Sequence, residues 1–293
     1  MLGIMWLHSG ATPSWLHAPV GGGICLFFML AGRFMPESPG AAAQRACRLG
    51  LAWLLWSLIS LGLFILAQPG ESWSWARAFG LGEPAYNTPL WFLRNLCLYQ
   101  LLLAGLAALR LLPRYKWLLL ALLLGLSYAA EPAQHVGLRF DWLSAVLLGY
   151  CLRGIPLPRL HAWLLAHAPA LLAAGVFLLV QRAYYPELLS ALGMRCYSCS
   201  LHVVEFMWAI GYLLAGAGLV RLCSPLASRM AQCGSCMLFI YAGHSLAYAP
   251  LYGLPLPSPC RLALMALVLV GLTLLCRLLH RIAPIGTRLL TAR

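Results

Sequence analysis

Apolar runs recur from one end of this chain to the other, most of them close to the ~20 residues an α-helix needs to cross a ~30 Å hydrocarbon core. They fall at about 1–18, 19–35, 47–68, 90–112, 117–130, 140–152, 160–180, 201–222, 236–254 and 260–279. Two of them, 117–130 and 140–152, are short for a full crossing and read as tilted or partly re-entrant partners. Only 9% of the residues are charged, against roughly 25% in a soluble domain, so the chain cannot cover a water-facing surface. The expected fold is therefore all-α: a polytopic membrane helical bundle with about ten transmembrane segments, forming one integral-membrane domain over 1–293. Neither an internal repeat nor a soluble insertion stands out, and the longest connections, 69–89 and 181–200, are too small to fold alone.

The net charge of +13 is almost all arginine, with Lys116 the sole lysine. These arginines are scattered between apolar runs and form no basic stripe, which argues against nucleic acid as a partner. They alternate instead. Arg45 and Arg48; Arg110, Arg114 and Lys116; Arg153 and Arg159; Arg221 and Arg229; and Arg277, Arg281, Arg288 and Arg293 mark one set of connections. Glu71, Glu83, Glu131, Asp141 and Glu187 mark the other. The positive-inside rule then puts the C-terminus in the cytoplasm of a multi-pass protein in a bacterial inner membrane.

At the N-terminus, Met1 to His8 rises only ~12 Å as a helix, short of a crossing. Either the first helix continues through Ser14 and Trp15 despite Pro13, or residues lie upstream of Met1, and the second is the expectation here. Met1 to Ala31 carries no Lys or Arg to form the basic region of a cleavable signal peptide.

Eleven cysteines invite a metal reading. Cys196-x-x-Cys199 and Cys233-x-x-Cys236 have zinc-ribbon spacing, but the orientation above puts a membrane between the pairs, so no metal is expected. Local disulfide formation or free thiols remain for Cys196 and Cys199. Trp73, Trp75, Trp117, Trp142, Tyr184 and Tyr185 cluster at segment ends, as an interfacial aromatic belt would; sugar stacking is the alternative for Trp73 and Trp75.

Ionisable groups inside apolar runs carry more information, because a charge at the centre of a span costs at least ~2.5 kcal/mol and is kept mainly for function. His8 and His17 flank the first outer turn. Arg94 and Glu205 lie one turn inside helices entering from the outer side, Asp141 opens the sixth segment there, and His244 lies near mid-depth. The competing reading is that Arg94 and Glu205 form a buried structural pair, or that the histidines cap neighbouring carbonyls. Convergence of several such groups favours a shared polar cavity, open to the outer face and lined by Arg94, Glu205 and His244.

His8 ends an apolar run and is followed by Phe27-Phe28-Met29-Leu30-Ala31-Gly32, Arg45-x-x-Arg48, Leu90-Trp91-Phe92-Leu93 and Ile240-Tyr241-x-x-His244. In that order these blocks resemble the membrane-bound acyltransferase 3 family, which includes O-acetyltransferases of bacterial surface polysaccharides. The resemblance spans nearly the whole chain and rests on the ordered set. Three positions depart from the family pattern: Ala31 stands for a serine, Pro89 for a frequent histidine, and the helix-one arginine would fall before Met1.

The resemblance implies an enzyme that moves an acyl group, acetyl by expectation, from acetyl-CoA to a hydroxyl of an extracytoplasmic glycan or glycolipid. His8, His244 and Glu205 are then the catalytic candidates. Arg94, Trp91 and Asn87 would contact the acceptor, and Arg45 and Arg48 the donor phosphates. Such chemistry needs a base for the hydroxyl proton, and histidine suits it near neutral pH. Guanidinium groups bind phosphate as a fork, although Arg45 and Arg48 serve equally well as topology determinants. A transporter or flippase for an envelope precursor is the main alternative, since intramembrane charges mark substrate pathways too. A non-catalytic envelope-assembly partner is a third. The sequence leaves acceptor, chain length and oligomeric state open.

Overall fold

A computed structural model describes residues 14–81, 86–129, 139–181, 209–218, 221–225, 236–248 and 257–292. Among these the secondary structure is helical, with no strand. The helices are α1 (Ser14–Arg33), α2 (Pro39–Ala67), α3 (Trp75–Phe79), α4 (Leu90–Ala108), α5 (Leu111–Ala129), α6 (Phe140–Cys151), α7 (Leu157–Ala166) and α8 (Ala168–Gln181). There follow α9 (Ala209–Gly218), α10 (Met237–Tyr248), α11 (Ser258–Ile282) and α12 (Pro284–Leu290). Among the described residues, three stretches are long and apolar enough to cross a membrane: α2, α4 and Pro259–Ile282 within α11.

Local chemistry sets several boundaries that hydropathy misplaces. The third segment starts at Pro39, well before residue 47, because Ser38 caps it: its hydroxyl accepts from Ala41 N at 3.2 Å, and proline at the first helical position gives up no needed donor. Segment 160–180 is two helices, broken at His167, whose backbone leaves the helical region. The expected turn near residue 18 is absent, since α1 runs from Ser14 through His17.

Two short helices were not expected at all. Ser74 caps α3 by accepting from Arg77 N at 3.1 Å, and Gly80 ends it in the left-handed region at φ 62°. The second concerns the segment Arg281 to Arg293, expected as a cytoplasmic tail. It reverses at Ala283 into α12, whose Leu290 carbonyl accepts from Trp56 Nε1 at 3.2 Å.

α2 and α4 are antiparallel neighbours: Asn87, just ahead of α4, meets Ser60, and Cys97 meets Gly50. α10 runs parallel to α2, because Phe239 packs on Trp56 (5.2 Å) and Ala242 lies level with Ser60 through Asn87. α1 packs against α6 at its C-terminal half, and the end of α1 is tied across by Arg33, which donates to the carbonyls of Leu152 and Ile155. Arg153 pairs there with Glu37 at 3.2 Å. Arg33, Arg45, Arg48 and Arg153 thus mark one end of the bundle.

The connection after α2 does not stay at the far end. Tyr86 stacks on Phe64 (4.2 Å), yet Phe79 reaches Trp53 (5.8 Å), 14 residues before the end of α2, a depth of about 21 Å at 1.5 Å per residue. This re-entrant hairpin is small but anchored: Ser74 N donates to Tyr86 Oη at 3.0 Å, and Arg77 lies over the Tyr86 ring at 4.7 Å.

Candidate functional site

A cavity of about 640 Å³ opens at the arginine-marked end, between α1, α2, α4 and α10. α1 contributes Phe27, Leu30, Ala31 and, just past its end, Phe34. α4 contributes Phe92 and Leu96, α10 contributes Met237, Leu238 and Tyr241, and α2 contributes Arg45. The lining residues are apolar apart from Tyr241 and Arg45, and Arg45 is oriented by donating to the Phe34 carbonyl. Ligand sites commonly have this make-up and fall in the range of ~300–1,000 Å³.

Around the cavity the helices are fixed by hydrogen bonds suited to an apolar setting. The Tyr241 hydroxyl donates to the Pro89 carbonyl at 2.6 Å. That carbonyl also accepts from Phe92 N at 3.1 Å in the first turn of α4, so the tyrosine uses its second lone pair. Asn87 Nδ2 donates to Ala242 O at 2.9 Å and to Ser60 Oγ at 3.3 Å, so one buried amide joins α2, α4 and α10. Asn87, expected as an acceptor contact, is thus placed as a joint between helices.

His244 is fully buried on α10. Its Nδ1 lies 2.6 Å from the Tyr241 carbonyl, and a carbonyl can only accept. Nδ1 therefore carries the proton in the neutral ring, which leaves the basic lone pair on Nε2.

Arg94 is buried on α4 and reaches sideways rather than along the cavity. It donates from Nη1 to the Gly80 carbonyl, at the cap of α3, and from Nε and Nη2 to Asn95 Oδ1 at 3.3 Å each. The side chain expected to bind acceptor thus holds the re-entrant hairpin in place. Trp91 stacks on Trp142 at 4.2 Å and 19°, and Phe28 lies against the same Trp142 ring at 5.5 Å. Arg48 is exposed and does not line the cavity, so Arg45 and Arg48 part company.

A second polar group lies beside this aromatic stack. Arg139 and Asp141 form a charge pair at the start of α6, with the guanidinium 3.8 Å from the Trp142 ring centroid. The Tyr99 hydroxyl accepts from Arg139 N and donates to Arg139 O, both at 3.0 Å. Asp141 was singled out from sequence; Arg139 and Tyr99 were not, although an arginine two residues before a buried carboxylate is a readable signal.

His8, Glu205, Cys196, Cys199 and Cys233 lie outside the described residues. The shared outer cavity of Arg94, Glu205 and His244 rests on one of them. Sequence reasoning also passed over Gln100, which stands alone in the apolar run 96–109 and is fully buried. No family model, curated protein or solved structure matches this chain.

Proposed function

We propose that the protein is a multi-pass membrane acyltransferase. In this reading it takes an acyl group, acetyl in the simplest case, from acyl-CoA at the arginine-marked end and delivers it to a hydroxyl of an extracytoplasmic glycan or glycolipid. One observation carries the reading. The blocks that resemble the acyltransferase 3 family, separated by up to ~200 residues, meet around a single cavity: Phe27, Leu30 and Ala31, then Arg45, Phe92 and Tyr241. A fortuitous set of common membrane dipeptides has no reason to converge.

Each residue has a task. Apolar walls exclude water from the thioester, and Arg45 attracts phosphate at the rim. His8 takes the acceptor proton as the hydroxyl oxygen attacks the thioester carbonyl. The C–S bond then breaks, and the thiolate leaving group recovers that proton from the imidazolium. His244, with its basic nitrogen fixed as Nε2, is the second titratable group available, and Glu205 the third. The surroundings are a bacterial inner membrane with the arginine-marked end in the cytoplasm.

Transport draws support from the broken helix α7–α8, since transporters use interrupted spans. That break lies off the cavity, which α7 and α8 do not line. The deciding experiment compares ester-linked acyl groups on cell-surface glycans with and without the gene, alongside transfer of labelled acetyl from acetyl-CoA by the purified protein. Loss of an ester in cells and label transfer in vitro is expected. Intact esters and no label transfer would remove the enzyme reading in favour of transport.

A further inference from the structure

Among the described residues, Arg45 is the one charged side chain that lines the cavity, and it is half-buried. Its Nη1 donates to the Phe34 carbonyl, and among the described residues it makes no other hydrogen bond and no ion pair. That leaves Nε and Nη2, an edge of the guanidinium able to grip two oxygens of one phosphate. A cation held against an apolar cavity without a counter-charge is costly, so the arrangement is complete only with an anion beside it.

Behind Arg45 the cavity has the depth of one membrane leaflet. Phe34 at the rim and Phe27 inside it are about 10 Å apart along α1. The pairing of Ser60 with Asn87 and of Gly50 with Cys97 sets Phe92 level with residue 55 of α2, about 15 Å beyond Arg45. Half of a ~30 Å hydrocarbon core is the same distance. Arg45 itself stands just ahead of the apolar run 47–68, at headgroup level. A sugar or a peptide would leave hydroxyls or amides unmet on these walls, since Tyr241 already spends its hydroxyl proton on the Pro89 carbonyl. A hydrocarbon chain leaves nothing unmet. Phe34 is exposed and Phe27, Leu30, Met237 and Leu238 are partly exposed, so the cavity is not closed over.

We propose that the cavity is a lipid site that holds an acyl chain of an anionic glycerophospholipid from the leaflet on the arginine-marked side, with the lipid phosphate on Arg45. Basic pockets between membrane helices recognise lipid headgroups in this way. Free phosphate would leave the apolar walls empty. In a long-chain acyl-CoA the pantetheine arm separates the phosphates from the chain, whereas here the apolar walls begin at Arg45 itself. The inference goes beyond the acyltransferase reading and does not rest on it. A CoA donor that uses Arg45 displaces the lipid first. No covalent step is involved.

The test uses the full chain purified in detergent, with labelled dioleoyl phosphatidylglycerol as the probe and Tm without added lipid as the folding control. Arg45→Gln keeps a donor for the Phe34 carbonyl but loses the charge, and is expected to weaken binding about 10- to 100-fold, the loss of two charge-assisted hydrogen bonds. Ala31→Phe puts a ring into the cavity with the charge intact and should weaken binding as well. Arg48→Ala removes an exposed charge off the cavity and should leave affinity nearly unchanged. Millimolar inorganic phosphate should not displace the probe. Unchanged affinity in Arg45→Gln or in Ala31→Phe overturns the site. So does an equal loss in Arg48→Ala, which would reduce it to general surface charge. Displacement by inorganic phosphate would make it a simple anion site, and tighter binding of oleate than of phosphatidylglycerol would make the headgroup a carboxylate; either result overturns the phospholipid assignment. Absence of acyl transfer leaves it standing, because lipid binding is read directly.

Discussion

Gly32 on α1 and Gly149 on α6 face each other so closely that each lacks room for a side chain. A Cβ at Gly32 would overlap the Val146 carbonyl oxygen, and one at Gly149 would overlap the Met29 carbonyl oxygen. The contact is reciprocal, and it brings the two backbones together as small residues do between helices in a bilayer. It also explains the glycine that ends the Phe-Phe block: Phe28 meets Trp142 only because α1 and α6 close at Gly32.

Gly32→Ala and Gly149→Ala should each destabilise the protein by about 1–3 kcal/mol or more, because the obstacle is backbone and cannot rotate away. The double variant should lose less than the sum, since both substitutions open one interface. Thermal unfolding of the purified protein measures this, and additive losses would show the two contacts to be independent.

Arg94 secures the α3 hairpin through the Gly80 carbonyl, so Arg94→Leu should free that hairpin. Trypsin cleavage after exposed Arg77 is expected to accelerate several-fold in detergent. Arg94→Lys should rescue little, because an ammonium cannot bond Gly80 and Asn95 with one rigid fork. An unchanged cleavage rate in Arg94→Leu would remove Arg94 from this role.

The Arg139–Asp141 pair is 11% and 4% exposed, so neither charge is well solvated alone. Asp141→Asn should cost about 3–5 kcal/mol by leaving Arg139 uncompensated. Replacing both, as Arg139→Met with Asp141→Leu, should recover most of that loss, and the Tyr99 bonds survive because they use the Arg139 backbone. Tm values of the three variants decide it.

Under the proposed function, His8→Ala should reduce glycan acylation by about 10²–10⁴-fold while membrane insertion stays normal. His17→Ala is the control and should keep most activity, since His17 lies within α1 nine residues further on. Ester content of surface glycans from cells carrying each variant provides the readout, and full acylation with His8→Ala would exclude it as base.

Under the proposed function, a reporter fused after Arg293 should be active only in the cytoplasm, the side to which the positive-inside rule assigns the arginine-rich connections. Activity on the opposite side would reverse the bundle and place the cavity toward the envelope.

What the sequence determined by itself was helix content and the approximate position of apolar spans, together with the caps at Ser38, Ser74 and Gly80 once they are looked for. Each depends on neighbours in the chain: hydropathy is a local sum, and a cap bonds a backbone group two or three residues away. What only tertiary structure decided was facing. A helix such as α4 is apolar on nearly every side, so no periodicity says which side meets α2, which lines the cavity and which meets lipid. That choice falls to contacts between residues far apart in sequence: Gly32 against Gly149, Asn87 bridging Ser60 and Ala242, Arg94 reaching Gly80. Within hydrocarbon the hydrophobic effect does not rank one apolar face above another, so close backbone approach and the few buried hydrogen bonds set the arrangement.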